Sequence, residues 1–334
     1  MKILLLEYIS GGGLAGQPLP DSLAREGLTM ALALAQDLLD LPQVELSLPW
    51  DARLPVPAVL DQPRVHVKPV SDAASFAACW SESLLECAAV WPVAPETGGV
   101  LENLCLAVEQ ADRCLLNSPA RAVALAAGKR ATAQRLIAQG IAAVPCFAWQ
   151  EVPDSLPWPR VVKPDDGVGC DGAFRLDDAA AWAAHCHAPP PANTLVQPYL
   201  AGPALSLSAL FYRGDAKLLT VNRQRIETGP DGAFVLQGCE VDCLADESGV
   251  YAGLARRIAQ AIPELAGYAG VDFIQSAEGP RVLEINPRLT SSYAGLRRAL
   301  GQNPAALVLE LFERGALPDC ATGVGRKVWV SWHD

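Results

Sequence analysis

Short apolar segments alternate with amphipathic helical segments along the first third of the chain. Apolar residues at 28, 31, 32, 35, 38 and 39 follow the i, i+3, i+4, i+7 spacing, which predicts a helix over 21–40. The same reading predicts strands over 2–8, 46–48, 65–70, 88–93 and 114–116, and helices over 72–86 and 99–110. Strands that alternate with helices indicate a parallel sheet of the Rossmann-like βαβ kind.

The pattern changes after about residue 118. Helices are predicted over 130–139, 177–187, 249–261 and 303–314, and strands over 160–163, 194–200, 205–212, 217–225, 270–275 and 281–285. Turns at 213–215 and 278–279 join two strand pairs as antiparallel hairpins, which indicates an α+β arrangement. Ser118 and Pro119 read as an N-cap and first helical residue, and Pro189–Pro191 as a break. We therefore predict an α/β domain over 1–117, a central lobe over 118–200 and a C-terminal lobe over 201–334.

Composition excludes several classes of protein. With 334 residues, of which 51% are hydrophobic and 19% charged, the chain has enough apolar surface to fold into two or three domains. Its net charge is 26 − 37 = −11, which argues against a nucleic-acid partner. Its ten cysteines show no C-x-x-C pair, and its apolar runs are too short for a signal peptide or a membrane span. A cytoplasmic protein with reduced thiols and no membrane partner is expected.

The strand predicted over 281–285 carries the strongest chemical signal. Alternate residues of a strand share a face, so Glu284 and Asn286 lie together. Asp272 lies on a strand that pairs with theirs across the predicted turn, which brings the three side chains to one face. Two carboxylates and an amide oxygen suit Mg²⁺, or Mn²⁺, which often also takes nucleotide phosphates as ligands. A solvated polar face is the alternative, and it is disfavoured because the surrounding strands are so apolar.

A lysine at the end of a predicted strand precedes a glycine-rich loop. Lys163 ends the strand, and Gly167, Gly169 and Gly172 follow it. A lysine supplies a compact cation for phosphates, and glycines let backbone N–H groups approach an anion closely. Lys129, 34 residues earlier, is a second isolated lysine. Together these features predict a site for nucleotide phosphates.

Three further motifs are weaker. The glycine loop over 11–16 matches a dinucleotide-binding pattern, but prolines separate it from the next predicted helix, and a plain turn or a substrate-facing loop is the better interpretation. Residues 127–130 lack the first glycine and the hydroxyl residue of a P-loop. His185 and His187 are two residues apart on a predicted helix, so they point to different sides and do not form a metal site.

The order of these features resembles the ATP-grasp superfamily of carboxylate-amine ligases over about residues 115–315. The resemblance implies an ATP-grasp fold with an N-terminal pre-ATP-grasp domain, in which lysines and a glycine loop contact the phosphates of ATP and a hinge after a strand holds adenine. By resemblance, the nucleotide contacts are Lys129, Lys163, Gly167, Gly169, Gly172, Gln197, Tyr199, Leu200 and Ser206. The metal ligands, for Mg²⁺ or Mn²⁺, are Asp272, Glu284 and Asn286.

Two positions depart from the pattern of that superfamily. Gln197 stands where an acidic residue is usual at the start of the hinge. Ala204 stands where a ribose-binding glutamate is common, so either Ser206 substitutes for it or nucleotide binding is weakened. These departures motivate one alternative function, a nucleotide-binding regulatory protein without turnover.

The N-terminal segments LEYISGGG (6–13) and VAPETGG (93–99) resemble those of the tyramine-glutamate ligase group. This resemblance implies a small-molecule ligase that joins glutamate to tyramine or a related amine through an acyl phosphate, in methanofuran-type C1-carrier biosynthesis. Another ATP-grasp amino-acid or peptide ligase is the alternative within the enzyme class. The identity of the amine and the oligomeric state, including a homodimer, are left open.

Substrate contacts are expected on both sides of the cleft. Their candidates are Glu7, Gly12, Glu96, Ser291 and Ser292, with Glu7 and Glu96 available either to hold the amine or to cap helices. The glycine loops over 11–13 and 167–172 are expected to close and exclude water.

Three cations are candidates for catalysis. Arg288, Arg223 and Lys163 are expected to stabilise negative charge that develops on phosphoryl oxygens and on a tetrahedral oxyanion. For the two arginines, a surface position without a catalytic role is the alternative.

Overall fold

The structure is a computed structural model that describes residues 1–185 and 193–331. Its N-terminal sheet consists of β1 (Lys2–Glu7), β2 (Glu45–Asp51), β3 (Val65–Val70), β4 (Ala89–Val93) and β5 (Cys114–Leu115). These strands are parallel, in the order β3-β2-β1-β4-β5. Connections between them include the helices α1 (Asp21–Leu39), α2 (Ala73–Glu86) and α3 (Val100–Gln110). The predicted Rossmann-like sheet is confirmed.

Strand β1 occupies the centre of this sheet because it is apolar on both faces. Ile3 and Leu5 belong to the largest hydrophobic core. Leu4 and Leu6 face the other way, into smaller clusters that contain residues of α2 and α3. A parallel strand covered by helices on both faces reads as a continuous apolar run, as this one does.

The middle of the chain forms two helices and a small antiparallel sheet. The elements are α4 (Ala120–Ala127), α5 (Lys129–Ala138), β6 (Phe147–Ala148), β7 (Arg160–Pro164), β8 (Phe174–Leu176), α6 (Ala179–His185) and β9 (Thr194–Pro198). The strand order is β6-β9-β7-β8. Part of the helix predicted over 177–187, with Cys186 and His187, and the break predicted at Pro189–Pro191 lie outside the described residues.

The C-terminal part forms a larger antiparallel sheet with helices beside it. Its strands are β10 (Ala204–Tyr212), β11 (Asp215–Thr228), β12 (Phe234–Leu244), β13 (Gly267–Ser276), β14 (Gly279–Asn286) and β15 (Val328–Val330). The order is β14-β13-β10-β11-β12-β15. Its helices are α7 (Val250–Ala261), α8 (Tyr293–Leu300) and α9 (Pro304–Arg314). The mixed α/β and α+β architecture predicted from the pattern is confirmed.

Several local predictions differ from the structure. Strand β12 and helix α8, which begins at Tyr293, were not predicted. The predicted N-cap at Ser118 is wrong, since α4 begins after Pro119 and has no side-chain cap. The Ser118 hydroxyl instead donates to the carbonyl oxygen of Ala266 at 2.9 Å and accepts from its N–H at 3.1 Å. It thereby joins the start of α4 to the residue that precedes β13.

The N-terminal sheet packs directly on the C-terminal part of the chain. One hydrophobic core contains Trp50 and Trp91 from the first sheet together with Tyr268 and Tyr293 from the last third. Helix α1 contacts α8 and α9 at this junction. Because the junction is apolar and buried, it fixes the position of α1 relative to the C-terminal sheet.

The state of the cysteines and the lengths of the helices bear on two further expectations. The nine cysteines of the described residues are free thiols, and all of them except Cys114 and Cys170 are buried. Within residues 1–185 and 193–331, no helix is both long and apolar enough to cross a bilayer. The domain limits at 117 and 200, the cytoplasmic location and the homodimer stay predictions.

Candidate active site

A cavity of about 590 Å³ lies between the small central sheet and the C-terminal sheet, and α1 reaches one part of it. Most of the predicted site residues line its walls, although they come from all parts of the chain. They are Lys129, Lys163, Gly167, Gly169, Gln197, Tyr199, Leu200, Ser206, Arg223, Asp272, Glu284, Asn286, Arg288, Ser291 and Ser292. Gly172, Glu7, Gly12 and Glu96 do not line it.

The predicted metal ligands lie on the paired strands β13 and β14. Asp272 is directly opposite Glu284, and Gly270 is opposite Asn286, in antiparallel register. The Asn286 amide donates to Asp272 Oδ2 at 3.2 Å. Burial and the neighbouring Glu284 carboxylate raise the pKa of Asp272 to about 7. The three side chains therefore share one face, as strand alternation predicts.

Two lysines converge on Glu284. Its Oε2 lies 3.5 Å from Lys129 Nζ and 3.7 Å from Lys163 Nζ. Burial alone would raise the pKa of this carboxyl, but the positive charges of Lys129 and Lys163 lower it. The side chain of Lys129 also donates to the carbonyl oxygens of Asp165 and Gly167, at 3.0 and 2.5 Å. Lys129 thus also holds the start of the glycine loop.

The donor set fits a divalent cation. Within the described part of the chain, no three His, Cys, Asp or Glu side chains are grouped to hold a metal ion, so the expected set is two carboxylates and one amide. These are hard oxygen ligands of the kind that Mg²⁺ and Mn²⁺ prefer. Burial first and the Glu284 carboxylate second raise the pKa of Asp272, and a cation between the two carboxylates would relieve their repulsion.

The hinge residues also line the cavity. Gln197 is buried, and its amide donates to the Cys146 thiol, with 2.8 Å between Nε2 and Sγ. Tyr199 donates its backbone N–H to the Pro159 carbonyl oxygen at 2.9 Å. Ser206 lies directly beside Asp272 in the sheet register, and its hydroxyl accepts from Asn222 at 3.3 Å. Ser206 is therefore adjacent to the predicted metal ligands, or metal-type residues, Asp272, Glu284 and Asn286 rather than to the hinge.

The glycine loop over 167–172 is attached to the N-terminal domain. Asp166 accepts from the backbone N–H of Gly98 at 2.9 Å, and its carbonyl oxygen accepts from the Thr97 hydroxyl at 2.7 Å. Gly172 lies behind the loop, where an added Cβ would lie 3.1 Å from Pro164 Cγ. The prediction that Gly172 faces the nucleotide is not supported by this position.

Glu7 and Gly12 lie away from the cavity lining, so the structure does not support their predicted substrate contacts. Glu7 is buried at the end of β1, where its Oε2 accepts from the N–H and hydroxyl of Ser10 at 2.7 and 2.6 Å. Gly12 has a φ of +87°, and an added Cβ would lie 2.5 Å from Val70 Cγ1. The turn over 11–13 is packed against its own domain, which gives no support to the expectation that it closes over the cleft.

The arginine candidates differ in their surroundings. Arg288 forms a two-pronged ion pair with Glu96, with Nε to Oε1 and Nη2 to Oε2 both at 3.0 Å. Glu96 is therefore engaged by Arg288 and does not face the cavity. Arg223 is in register with Leu205, whereas Asn222 is in register with Ser206 on the face of Asp272. Both arginines line the cavity wall, and the charge of Arg288 helps to lower the pKa of Glu284.

One residue of the cavity, Glu26, was missed from the sequence. It lies on α1, and its Oε1 accepts from the Ser291 hydroxyl at 2.6 Å. Its position on α1 could have indicated that it lies near the buried face of the helix, because Gly27 and Met30, one and four positions later, are both buried. A carboxylate on that face has to meet a partner or a polar cavity.

Comparisons with known proteins identify the family of the chain. The family described as ATP-grasp domain matches residues 126–292, half of the chain, and the family described as pre ATP-grasp 3 domain matches residues 44–123. The chain belongs to the ATP-grasp family.

Two similar relatives are tyramine--L-glutamate ligases. The one from Methanocaldococcus jannaschii is 27% identical over 210 residues, which cover 61% of this chain and 57% of that protein. The one from Methanocaldococcus fervens is 28% identical, over 61% of this chain and 60% of that protein. The matched region thus spans less than two thirds of the length of either relative.

Solved structures share the fold. An ATP-grasp superfamily protein from Archaeoglobus fulgidus has a TM-score of 0.69 and 22% identity, with 98% of both chains covered. The L-amino acid ligase from Bacillus licheniformis has a TM-score of 0.63 and 16% identity, over 93% of this chain and 73% of that one. At these identities the likeness shows the fold alone.

Proposed function

We propose that this chain is an ATP-dependent carboxylate-amine ligase, which forms an amide through an acyl phosphate and releases ADP. The observation that supports it most strongly is the meeting of Lys129 and Lys163 at Glu284, beside Asp272 and Asn286 and under the glycine loop. Two lysines, two carboxylates and an amide at one point suit a polyphosphate and its cation.

In this proposal ATP lies along the cavity. Gln197, Tyr199 and Leu200 border its adenine, and the N–H groups of Gly167 and Gly169 approach its phosphates. Lys129 and Lys163 neutralise phosphate charge. Asp272, Glu284 and Asn286 would hold Mg²⁺ or Mn²⁺, which when bound neutralises charge on the phosphate oxygens. The cations are essential because the protein itself has a net charge of −11.

The reaction proceeds in two balanced steps. An oxygen of the substrate carboxylate attacks the γ-phosphorus of ATP, the bond from that phosphorus to ADP breaks, and an acyl phosphate forms. The nitrogen of a neutral amine then attacks the acyl carbon, phosphate leaves, and the nitrogen loses a proton. Lys163 stabilises the charge that develops on the phosphoryl oxygens, and Arg288 lies at the side where the tetrahedral oxyanion forms.

For the substrates we propose glutamate and tyramine or a related amine, with a role in methanofuran-type biosynthesis. Support comes from the two tyramine--L-glutamate ligases, at 27% and 28% identity. A second candidate is another amino-acid ligase, which the likeness in fold to the L-amino acid ligase favours. A nucleotide-binding protein without turnover is the alternative that Gln197 and Ala204 motivate.

The test is release of ADP and formation of amide by the full chain. Glutamate is supplied with ATP and Mg²⁺, together with tyramine or, in parallel, tyrosine and other amines. We expect ADP and amide in equal amounts, and loss of both in Lys163→Ala. Lys217→Ala, whose lysine does not line the cavity, is the matched control and should retain activity. Binding of ATP without ADP release with any amine would reject the ligase function.

A further inference from the structure

One carboxylate of the cavity has no role in the chemistry proposed above. Glu26 of α1 lines the cavity next to the segment from Arg288 to Ser292. It is half-buried, and its Oε1 accepts the hydrogen bond from Ser291. Among residues 1–185 and 193–331, no lysine, arginine or histidine forms an ion pair with Glu26. Its negative charge is therefore available to a ligand.

The other carboxylates near the cavity either interact with charged neighbours or are exposed to solvent. Asp272 and Glu284 face each other and the two lysines. Asp171 and Glu227 lie at the rim, exposed to solvent, where a charge interaction is weak. Glu26 differs from all of these because it is partly shielded from water and forms no ion pair within the described residues, although its charge acts on the nearby Arg288. Shielding strengthens its attraction for a cation.

Glu26 is also held in place from the side of its own domain. An added Cβ at the adjacent Gly27 would lie 2.5 Å from Glu7 Oε2, so α1 is pressed against the end of β1. Glu7 in turn is fixed by its hydrogen bonds from Ser10. The helix turn that carries Glu26 therefore has a defined position, and the Ser291 hydroxyl orients its carboxylate from the opposite wall.

The charge of Glu26 helps to raise the pKa of the nearby Arg288, although this guanidinium is hydrogen-bonded to a different carboxylate. Arg288, the guanidinium of this wall, is already paired with Glu96 through two oxygens. A substrate with its own carboxylates would be repelled by Glu26, whereas an amine that carries only a positive charge complements it. This favours the nucleophilic amine over the amino acid as the ligand of Glu26.

We propose that Glu26 binds the ammonium group of the amine substrate, so that this end of the cavity selects cationic primary amines without a carboxylate of their own. The inference rests on the proposed ligase function and adds the residue that recognises the second substrate. Glu26 binds and orients the amine as its ammonium ion, and one ammonium proton passes to solvent water before the neutral nitrogen attacks.

The kinetic test compares Glu26→Gln with the wild-type full chain. Because a charge-assisted hydrogen bond is lost, we expect the KM for tyramine to rise about 10- to 100-fold, with the KM values for ATP and glutamate unchanged. Ser291→Ala, which removes only the orienting hydroxyl, should raise the same KM to a smaller extent. Glu109→Gln, on the exposed face of α3, makes the same change of charge outside the cavity and should have no effect.

A binding measurement separates failure of this inference from failure of the ligase function. Tyramine and the neutral 4-ethylphenol are titrated calorimetrically into the protein with Mg²⁺ and a non-hydrolysable ATP analogue. We expect tyramine to bind more tightly than 4-ethylphenol in the wild type, and Glu26→Gln to abolish that difference. If no amine supports ADP release, the ligase function fails, and the titration still decides whether Glu26 binds a cation.

Two outcomes would overturn the inference. One is an unchanged tyramine KM together with an unchanged preference for tyramine over 4-ethylphenol in Glu26→Gln. The other is a rise confined to the KM for glutamate, which would assign Glu26 to the amino-acid substrate instead.

Discussion

At the scale of single residues, the site depends on how a few buried charges are balanced. Glu284 is the negative partner of Lys129 and Lys163 at once, and Asp272 lies directly opposite it. Removal of one member leaves its partners as uncompensated charges in a partly desolvated site, and this raises the free energy of the folded protein. Glu284 is therefore the residue whose loss should disturb the most functions of the cavity.

We predict that Glu284→Gln lowers the rate of ADP release about 100-fold or more, because it removes a metal-type ligand and the anion that holds both lysines. Steady-state ADP release at saturating Mg²⁺ measures the effect. Glu278→Gln, on the exposed turn before β14, is the matched control and should leave the rate unchanged. A rate for Glu284→Gln close to that of the wild type would mean that the metal-type residues are placed wrongly.

A second residue-scale prediction concerns acid stability. Hydrogen bonds from the Arg53 side chain lower the pKa of the buried Asp51 from its usual 3.8. A lowered carboxyl pKa stabilises the fold above about pH 4, and this contribution is lost as the pH falls through the folded-state pKa. Asp51→Asn should therefore lower the urea midpoint at pH 7, and the difference from the wild type should shrink toward pH 3. A difference that is constant over this range would contradict the assignment.

Residue roles were predictable where one strand or hairpin carries them. Alternation along β14 and a tight turn were enough to bring Asp272, Glu284 and Asn286 together. Glu26 was missed and Glu7 was misplaced for the same reason, since their surroundings are set by how α1 meets β1 and the loop after β14. Contacts between segments so far apart in the chain leave no local pattern.

At the scale of elements, regular periodicity decided what could be predicted. The parallel strands and α1 follow their apolar spacing closely. Strand β12 was missed because its pairing with β11 is irregular in two places and Asp242 within it has a φ of +56°. Helix α8 was missed because it is short and contains Gly295, where an added Cβ would lie 2.8 Å from Val241 Cγ2. That glycine serves close packing, which the local sequence does not reveal.

The packing of α1 on β1 gives an element-scale prediction. At an open position in a helix, Gly→Ala stabilises the fold by about 0.5–1 kcal/mol. At Gly27, however, the new Cβ would meet the hydrogen-bonded carboxylate of Glu7. Such overpacking costs about 1–3 kcal/mol. We expect Gly27→Ala to lower Tm. Gly253→Ala in α7, where nothing lies within 4 Å of the added Cβ, should raise Tm slightly. An equal rise in Tm for both variants would show that α1 is not pressed against Glu7.

At the scale of the whole molecule, the N-terminal domain reaches the cavity through three connections. Glu96 holds Arg288, Glu26 meets Ser291, and the Thr97–Gly98 turn holds Asp166 at the start of the glycine loop. The N-terminal domain is thus joined to the glycine loop that we propose to lie over the nucleotide phosphates. This connection provides a physical route by which the two sites influence each other.

We predict that Asp166→Ala loosens the glycine loop and admits water to the acyl phosphate, so the ratio of ADP to amide rises above one. Parallel assays of ADP and amide measure this ratio. Asp154→Ala, at an exposed site outside the cavity, is the control and should keep the ratio at one. A lower rate with an unchanged ratio would argue against a role of this connection in excluding water.

The most direct test of the proposed chemistry follows an oxygen atom. Glutamate labelled with ¹⁸O in its carboxylates is incubated with the protein, ATP, Mg²⁺ and tyramine, and the phosphate is analysed by mass spectrometry. Because the attacking carboxylate oxygen becomes the bridge of the acyl phosphate and leaves with phosphate, we predict one ¹⁸O in phosphate for each amide formed. Amide formed without label in phosphate, or label found in AMP, would contradict an acyl-phosphate ligase.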